Sequence, residues 1–209
     1  MTSLPAISEL RRRTQALAAL DLILSPEWEY RYYSFNAAWS PSEQMASMRD
    51  GCGDEWWLVF HSDGWAALKG LAHKSEAWSK EGDRLSVALQ AAMPPDLVEF
   101  AREPAFRWDS TGFAYFYLPS QQQWCRANDL TTFSALDAGE DDLLRHLCGG
   151  PSDFASFAED YYEREVPVDV VAEVFRHAPI TDRLVSSLNP DITLKDITDE
   201  LHTQIGYPR

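Results

Sequence analysis

The residues best equipped for chemistry lie in "RDGCGDEWWLVFHSDG", residues 49–64, which gathers Asp50, Cys52, Asp54, Glu55, His61 and Asp63. Carboxylates joined by one imidazole can hold a divalent cation or exchange protons. They converge here if the glycine turn folds over the tip of a following hairpin. Cys52, between two glycines, has the exposure of a nucleophile, but a thiol needs a base and an orienting group, and no particular histidine is implicated. A simpler account competes. Asp50-Gly51 and Asp63-Gly64 are turn dipeptides, and Asp54-Glu55 is a polar lead-in to a strand. No residue is therefore assigned a catalytic, cofactor-binding or metal-ligating role, and no cofactor is expected.

Elsewhere the signatures of catalysis are missing from the sequence. There is no G-x-S-x-G elbow, phosphate loop or dinucleotide-binding turn, and the five histidines show neither H-x-x-x-H nor H-x-H spacing. Charge is the stronger signal. The chain has 33 acids against 18 bases, a net charge of −15. Residues 136–173 hold eleven acids against Arg145 and Arg164, which leaves nine net negative charges in less than a fifth of the chain. Such a field disfavours nucleic acid and anionic membrane and suits a basic protein partner. Within it, Asp153, Glu159, Asp160, Tyr161, Tyr162 and Glu163 combine charge with aromatic anchors, the residues favoured at interface hot spots. The competing reading is a solvated face of amphipathic helices.

A second candidate is "WEYRYYSFNAAWS", residues 28–40. Read as a strand from Trp28 to Phe35, it sets Trp28, Tyr30 and Tyr32 on one face and Glu29, Arg31, Tyr33 and Phe35 on the other. Aromatics on both faces favour packing between helices over a ligand platform. An exposed Trp28-Tyr30-Tyr32 row would favour binding instead.

The elements that position these residues follow from periodicity. Residues 5–24 read as an amphipathic helix through Ile7, Leu10, Leu17, Leu20, Leu22 and Leu24, stopped by Ser25-Pro26. Ser40 before Pro41, with Glu43 three residues on, resembles a capping box and predicts a short helical turn. "EWWLVFHSDGWAALKGLAH" is a hairpin about Asp63-Gly64, and its first strand, apolar in both alternating sets, should be covered on both faces. "PPDLVEFAREPAF" predicts a short helix ending before Pro104. Residues 112–118 and 123–127 predict a second hairpin across Pro119-Ser120.

Beyond residue 136 only helices are expected. One runs through Phe154, Phe157, Ala158 and Tyr161 behind a Ser152 cap, another through Val168, Val171, Val174 and Phe175. A third, capped by Thr181, carries Leu184, Val185 and Leu188, and a last one runs through Leu194, Ile197, Leu201 and Ile205 to Gly206. The expected class is α+β: an N-terminal helix, an antiparallel sheet of about five strands and a helical C-terminal third. The 209 residues are expected to form one domain, with 1–135 as helix plus sheet and 136–209 as an acidic helical subregion packed on it.

Apolar residues make up 45% of the chain, aromatics 12%, with eight Trp, so a substantial core is expected. Cys52, Cys125 and Cys148 give neither a disulfide framework nor a metal clip. No run approaches a membrane span and charges occupy the place of a signal-peptide apolar run, so the cytoplasm is the expected compartment. The segments "SPEWEYRYYSFNAAWS", "MASMRDGCGDEWWLVF" and "FAEDYYEREVPVDVVAEVFRHAPITDRLVSSLNP", with the "IGYP" ending, resemble an uncharacterised group of bacterial cytoplasmic proteins, a kinship that implies no known activity. "MPPDLVEFAREPAF" is similar to the proline-led helix of SUKH-type immunity proteins, small acidic α+β proteins that bind and block a toxin. Here that helix follows the Trp56–His73 hairpin, and no Gly-Gly closes it.

Three functions are thus expected to compete. The first is a non-enzymatic binding protein, immunity-like, whose partner is a cationic toxin. The second is an enzyme or a small-molecule or metal binder using Asp50–Asp63. The third is a structural or regulatory protein that self-associates through exposed aromatics. The sequence does not fix the oligomeric state.

Overall fold

The computed structural model describes residues 3–209. In chain order its main elements are α1 (Ile7–Leu24), β1 (Tyr33–Asn36), β2 (Glu43–Arg49), β3 (Glu55–His61), β4 (Ala66–Leu71), α2 (Glu76–Glu81), α3 (Asp83–Ala91) and α4 (Val98–Arg102). There follow β5 (Phe113–Leu118), β6 (Gln123–Arg126), α5 (Glu140–Leu143), α6 (Arg145–Cys148), α7 (Pro151–Tyr162), α8 (Val168–Phe175), α9 (Asp182–Leu188) and α10 (Leu194–Asp199). The class is α+β, with an N-terminal helix, antiparallel strands and several C-terminal helices. Among the described residues the strands number six rather than about five. The extra one is β2, where a helical turn was expected. Ser40 and Glu43 do pair, Ser40 Oγ donating to Glu43 Oε2 at 2.9 Å, but their amides and carbonyls also bond each other across a tight turn. The chain leaves that turn extended, and Met45, Ala46 and Met48 go into the core of a sheet.

Two compact units make up the chain: Ser40–Leu144, and Ser3–Trp39 together with Arg145–Arg209. The first is an antiparallel meander in which β2 to β6 each pair with the next. The hairpin between β3 and β4 turns at Gly64, whose φ of +89° requires a residue without a Cβ. Both alternating sets of β3 are engaged, as its composition predicts: Trp56, Leu58 and Phe60 are buried on one face and Val59 on the other. Trp57 Nε1 is also buried, and the Trp57 ring lies 5.3 Å from Phe106.

Gly70, in the middle of β4, pairs with Phe113, whose ring covers the glycine. A Cβ added there would lie 2.1 Å from Phe113 Cζ. Gly70→Ala is therefore expected to destabilise the chain by about 1–3 kcal/mol through overpacking, measured by urea unfolding. Phe113→Leu in the same background should recover part of the loss.

In the second unit α1 carries a buried run from Thr14 to Leu24. Thr181 caps α9, its Oγ1 accepting from Leu184 N, as expected. The expected Ser152 cap of α7 is a correction: Asp153 Oδ2 instead accepts from Gly150 N at 2.7 Å, because Gly150 is the residue whose extended backbone precedes the helix. The last helix ends in a π turn, Glu200–Gln204, closed by Ile205 N donating to Glu200 O.

Candidate partner-binding surface

The carboxylates and histidine of residues 50–63 do not converge. Asp50 and Asp54 bracket the turn at one end of β3 and His61 and Asp63 lie at the other, about 20 Å away for a seven-residue strand. The strand between them is the physical reason. Each group has a local task. Asp50 Oδ1 accepts the amides of Cys52, Gly53 and Asp54, and His61 Nδ1 accepts that of Asp63. Asp54 Oδ1 lies 2.6 Å from His73 Nδ1 and accepts the His73 amide at 2.8 Å, a partnership the sequence does not announce. Cys52 is exposed, and among the described residues no two cysteines form a disulfide. Among the described residues no group of three or more His, Cys, Asp or Glu is arranged to hold a metal ion.

Glu55 turns inward. It is buried between Lys69 Nζ at 3.0 Å and Arg107 Nη2 at 2.8 Å, and Lys69 is wholly buried. Burial pushes the Glu55 carboxyl up, but Lys69 and Arg107 outweigh it and hold the group below its ordinary value. Burial moves Lys69 down, and Glu55 restores only part of that shift.

The two aromatic candidates behave differently. The stretch Trp28–Phe35 is not one strand. Trp28–Tyr30 is a single 3₁₀ turn, and only Tyr33–Asn36 is extended. The cause is Arg31. Its Nε donates to Ser25 O at 2.9 Å, its Nη2 to Pro26 O at 2.5 Å, and its Nη1 and Nη2 to the Glu200 carboxylate. A buried guanidinium that collects carbonyls from five and six residues back curls the chain over itself. The face alternation read for residues 28–32 is thereby lost. Trp28 and Tyr30 are 51% and 60% exposed, whereas Tyr33 and Phe35 are core. Tyr30 ionises less readily than usual because Glu29 and Glu27 surround it with negative charge.

Tyr32 joins this turn to α7. Its ring centroid lies 4.7 Å from Phe157 and 5.3 Å from Tyr161, which is itself 42% exposed. Two candidate segments more than a hundred residues apart thus meet within one unit. Glu159, Asp160, Tyr161 and Glu163 are exposed around the end of α7. Not every expected residue is available. Asp153 closes the start of α7, Glu159 Oε1 accepts the Val166 amide at 3.3 Å, and the Tyr162 hydroxyl is buried.

Beneath the surface lie groups that spacing did not single out. Asp21, on α1, is wholly buried, and its Oδ2 accepts the Tyr33 amide at 2.6 Å. The Tyr162 hydroxyl faces the same carboxyl, yet neither it nor Asp21 Oδ1 reaches hydrogen-bond geometry. The Tyr33 hydroxyl lies 2.5 Å from Nδ1 of buried His146. One sequence signal for Asp21 existed: a lone acid within the apolar run "ALAALDLIL".

Among the described residues no helix is long and apolar enough to cross a membrane. No family model, curated protein or solved structure matches the chain.

Proposed function

We propose that the chain is a non-enzymatic binding protein of the bacterial cytoplasm that meets a cationic protein through the acidic, aromatic surface of its second unit, in the manner of an immunity protein blocking a basic toxin. The observation that carries this reading is the contact of Tyr32 with Tyr161, which joins exposed Trp28 and Tyr30, beside Glu27 and Glu29, to Asp160 and Glu163 at the end of α7. Aromatic anchors supply contact area at low entropic cost, and the acids around them accelerate encounter with positive charge.

The test is association with a basic protein drawn from the genetic neighbourhood, followed at rising salt. The on-rate should fall at least about tenfold between 50 mM and 500 mM salt. Tyr30→Ala and Trp28→Ala should each weaken binding by about 2 kcal/mol, the scale of an interface hot spot. An on-rate indifferent to ionic strength would sink the electrostatic part. Reversible dimers of the isolated chain, dispersed by the same two substitutions, would assign the surface to self-association instead.

A further inference from the structure

Tyr33 carries a partner at each end of its length. Its amide donates to Asp21, and its hydroxyl meets His146 Nδ1. Its ring lies 5.0 Å from Tyr32, so it supports the rings that form the surface above. Both partners are buried, and among the described residues neither has an oppositely charged group at salt-bridge distance. Around Asp21 stand the amides of Tyr32 and Tyr33, the Tyr162 hydroxyl and, further off, Arg31, which is committed to Glu200. Around His146 stand the Tyr33 hydroxyl, the Phe154 and Phe157 rings, adjacent Arg145 and more distant Asp153. A carboxyl and an imidazole so placed both favour their neutral forms, although in water at pH 5 to 6 both are charged.

We propose that Asp21 and His146, joined through Tyr33, form a compensating proton pair that keeps the support beneath the aromatic surface level between mildly acidic and neutral pH. On folding in that range Asp21 takes up one proton and His146 releases one, so net proton uptake by the pair is zero. The directions follow from burial. It raises the Asp21 carboxyl from 3.8 to about 7, and, helped by Arg145, lowers the His146 imidazole from 6.5 to about 4. Asp21 alone removes stability as pH rises from about 4 to about 7. His146 alone removes it as pH falls from 6.5 to about 4. The slopes oppose across the shared window.

The device is independent of what the surface binds, so its test needs no partner. Unfolding constants of the full chain are measured from pH 4 to 8 for the wild type, Asp21→Asn and His146→Gln, and each variant is divided by the wild type to remove the common background. The Asp21→Asn ratio should fall by roughly tenfold per pH unit between pH 4 and 7, and the His146→Gln ratio should rise at the same rate between pH 4 and 6.5. A flat ratio for either variant overturns the pair. Imidazole resonances of the wild type give a second reading. His146 should stay neutral down to pH 5, and an ordinary histidine titration at pH 6.5 would equally refute the proposal.

Discussion

Glu55→Gln is expected to cost about 3–5 kcal/mol of stability, the largest loss from a single polar substitution in the first unit. Lys69 is wholly buried, with Glu55 Oε1 at 3.0 Å and Ser110 O at 3.2 Å as its partners. Glutamine keeps the shape and an acceptor but strands the ammonium charge away from water. Replacing both residues, Glu55→Leu with Lys69→Met, should cost far less than either change alone, because the unpaired charge then no longer exists. Arg107 distinguishes the buried pair from its exposed margin. Its side chain is 62% exposed, so losing Glu55 returns it to water at little cost. What holds the left-handed backbone of Arg107, φ +45°, is the burial of Phe106 and Trp108 on either side. The deficit of Glu55→Gln should also shrink at alkaline pH. A lysine whose folded value is depressed loses stability as pH falls below its unfolded value, so the penalty fades as pH approaches 10.5. Urea unfolding at pH 7 and pH 10 measures both effects. A single substitution costing under about 1 kcal/mol, or a double variant as unstable as the worse single, would contradict the argument.

Much of the first unit was legible because its signals are local. Asp63-Gly64 between two apolar runs specifies a hairpin wherever it occurs, and the doubly apolar composition of β3 requires cover on two faces. Thr181 marked its helix start for the same reason. Ser75 shows that a local signal can also pass unread: its hydroxyl caps α2 by accepting from Trp78 N, two residues after His73. In two places where the sequence misled, pairing with a more distant segment had overruled a local preference. Ser40 and Glu43 form the predicted pair, but seven residues of β2 gain more by pairing with β3 than a single helical turn would return. The run WEYRYY has strand composition, yet Arg31 finds Glu200, 169 residues away, and the turn follows from that bond. The same distance hid the surface. Nothing in Tyr32 or Tyr161 alone says that they touch. Acidity and aromatic content nominated both segments separately, while the fold supplies their meeting.

Glu200→Ala is expected to cost about 3–5 kcal/mol at neutral pH and, unlike the loss at Glu55, to keep that cost as pH rises towards 10. The Arg31 guanidinium is buried, and arginine does not shed its proton in proteins, so no titration relieves the charge that Glu200 leaves behind. The π turn from Glu200 to Gln204 grips the aromatic segment twice: the Glu200 carboxylate takes Arg31, and Gln204 O accepts the Ala37 amide at 2.7 Å. Loss of the first grip should release the Trp28–Tyr30 turn while the second still holds β1. Binding should therefore fall further than a global loss of stability explains, with hydrogen exchange rising over residues 25–31 and staying slow over residues 33–36. Arg31→Lys tests the geometry separately from the charge. A lysine cannot reach Ser25 O, Pro26 O and both Glu200 oxygens as the planar fork does, so it should recover only part of the loss seen in Arg31→Ala. Full recovery by lysine would mean that a point charge suffices, and that the fold of the turn does not depend on the fork.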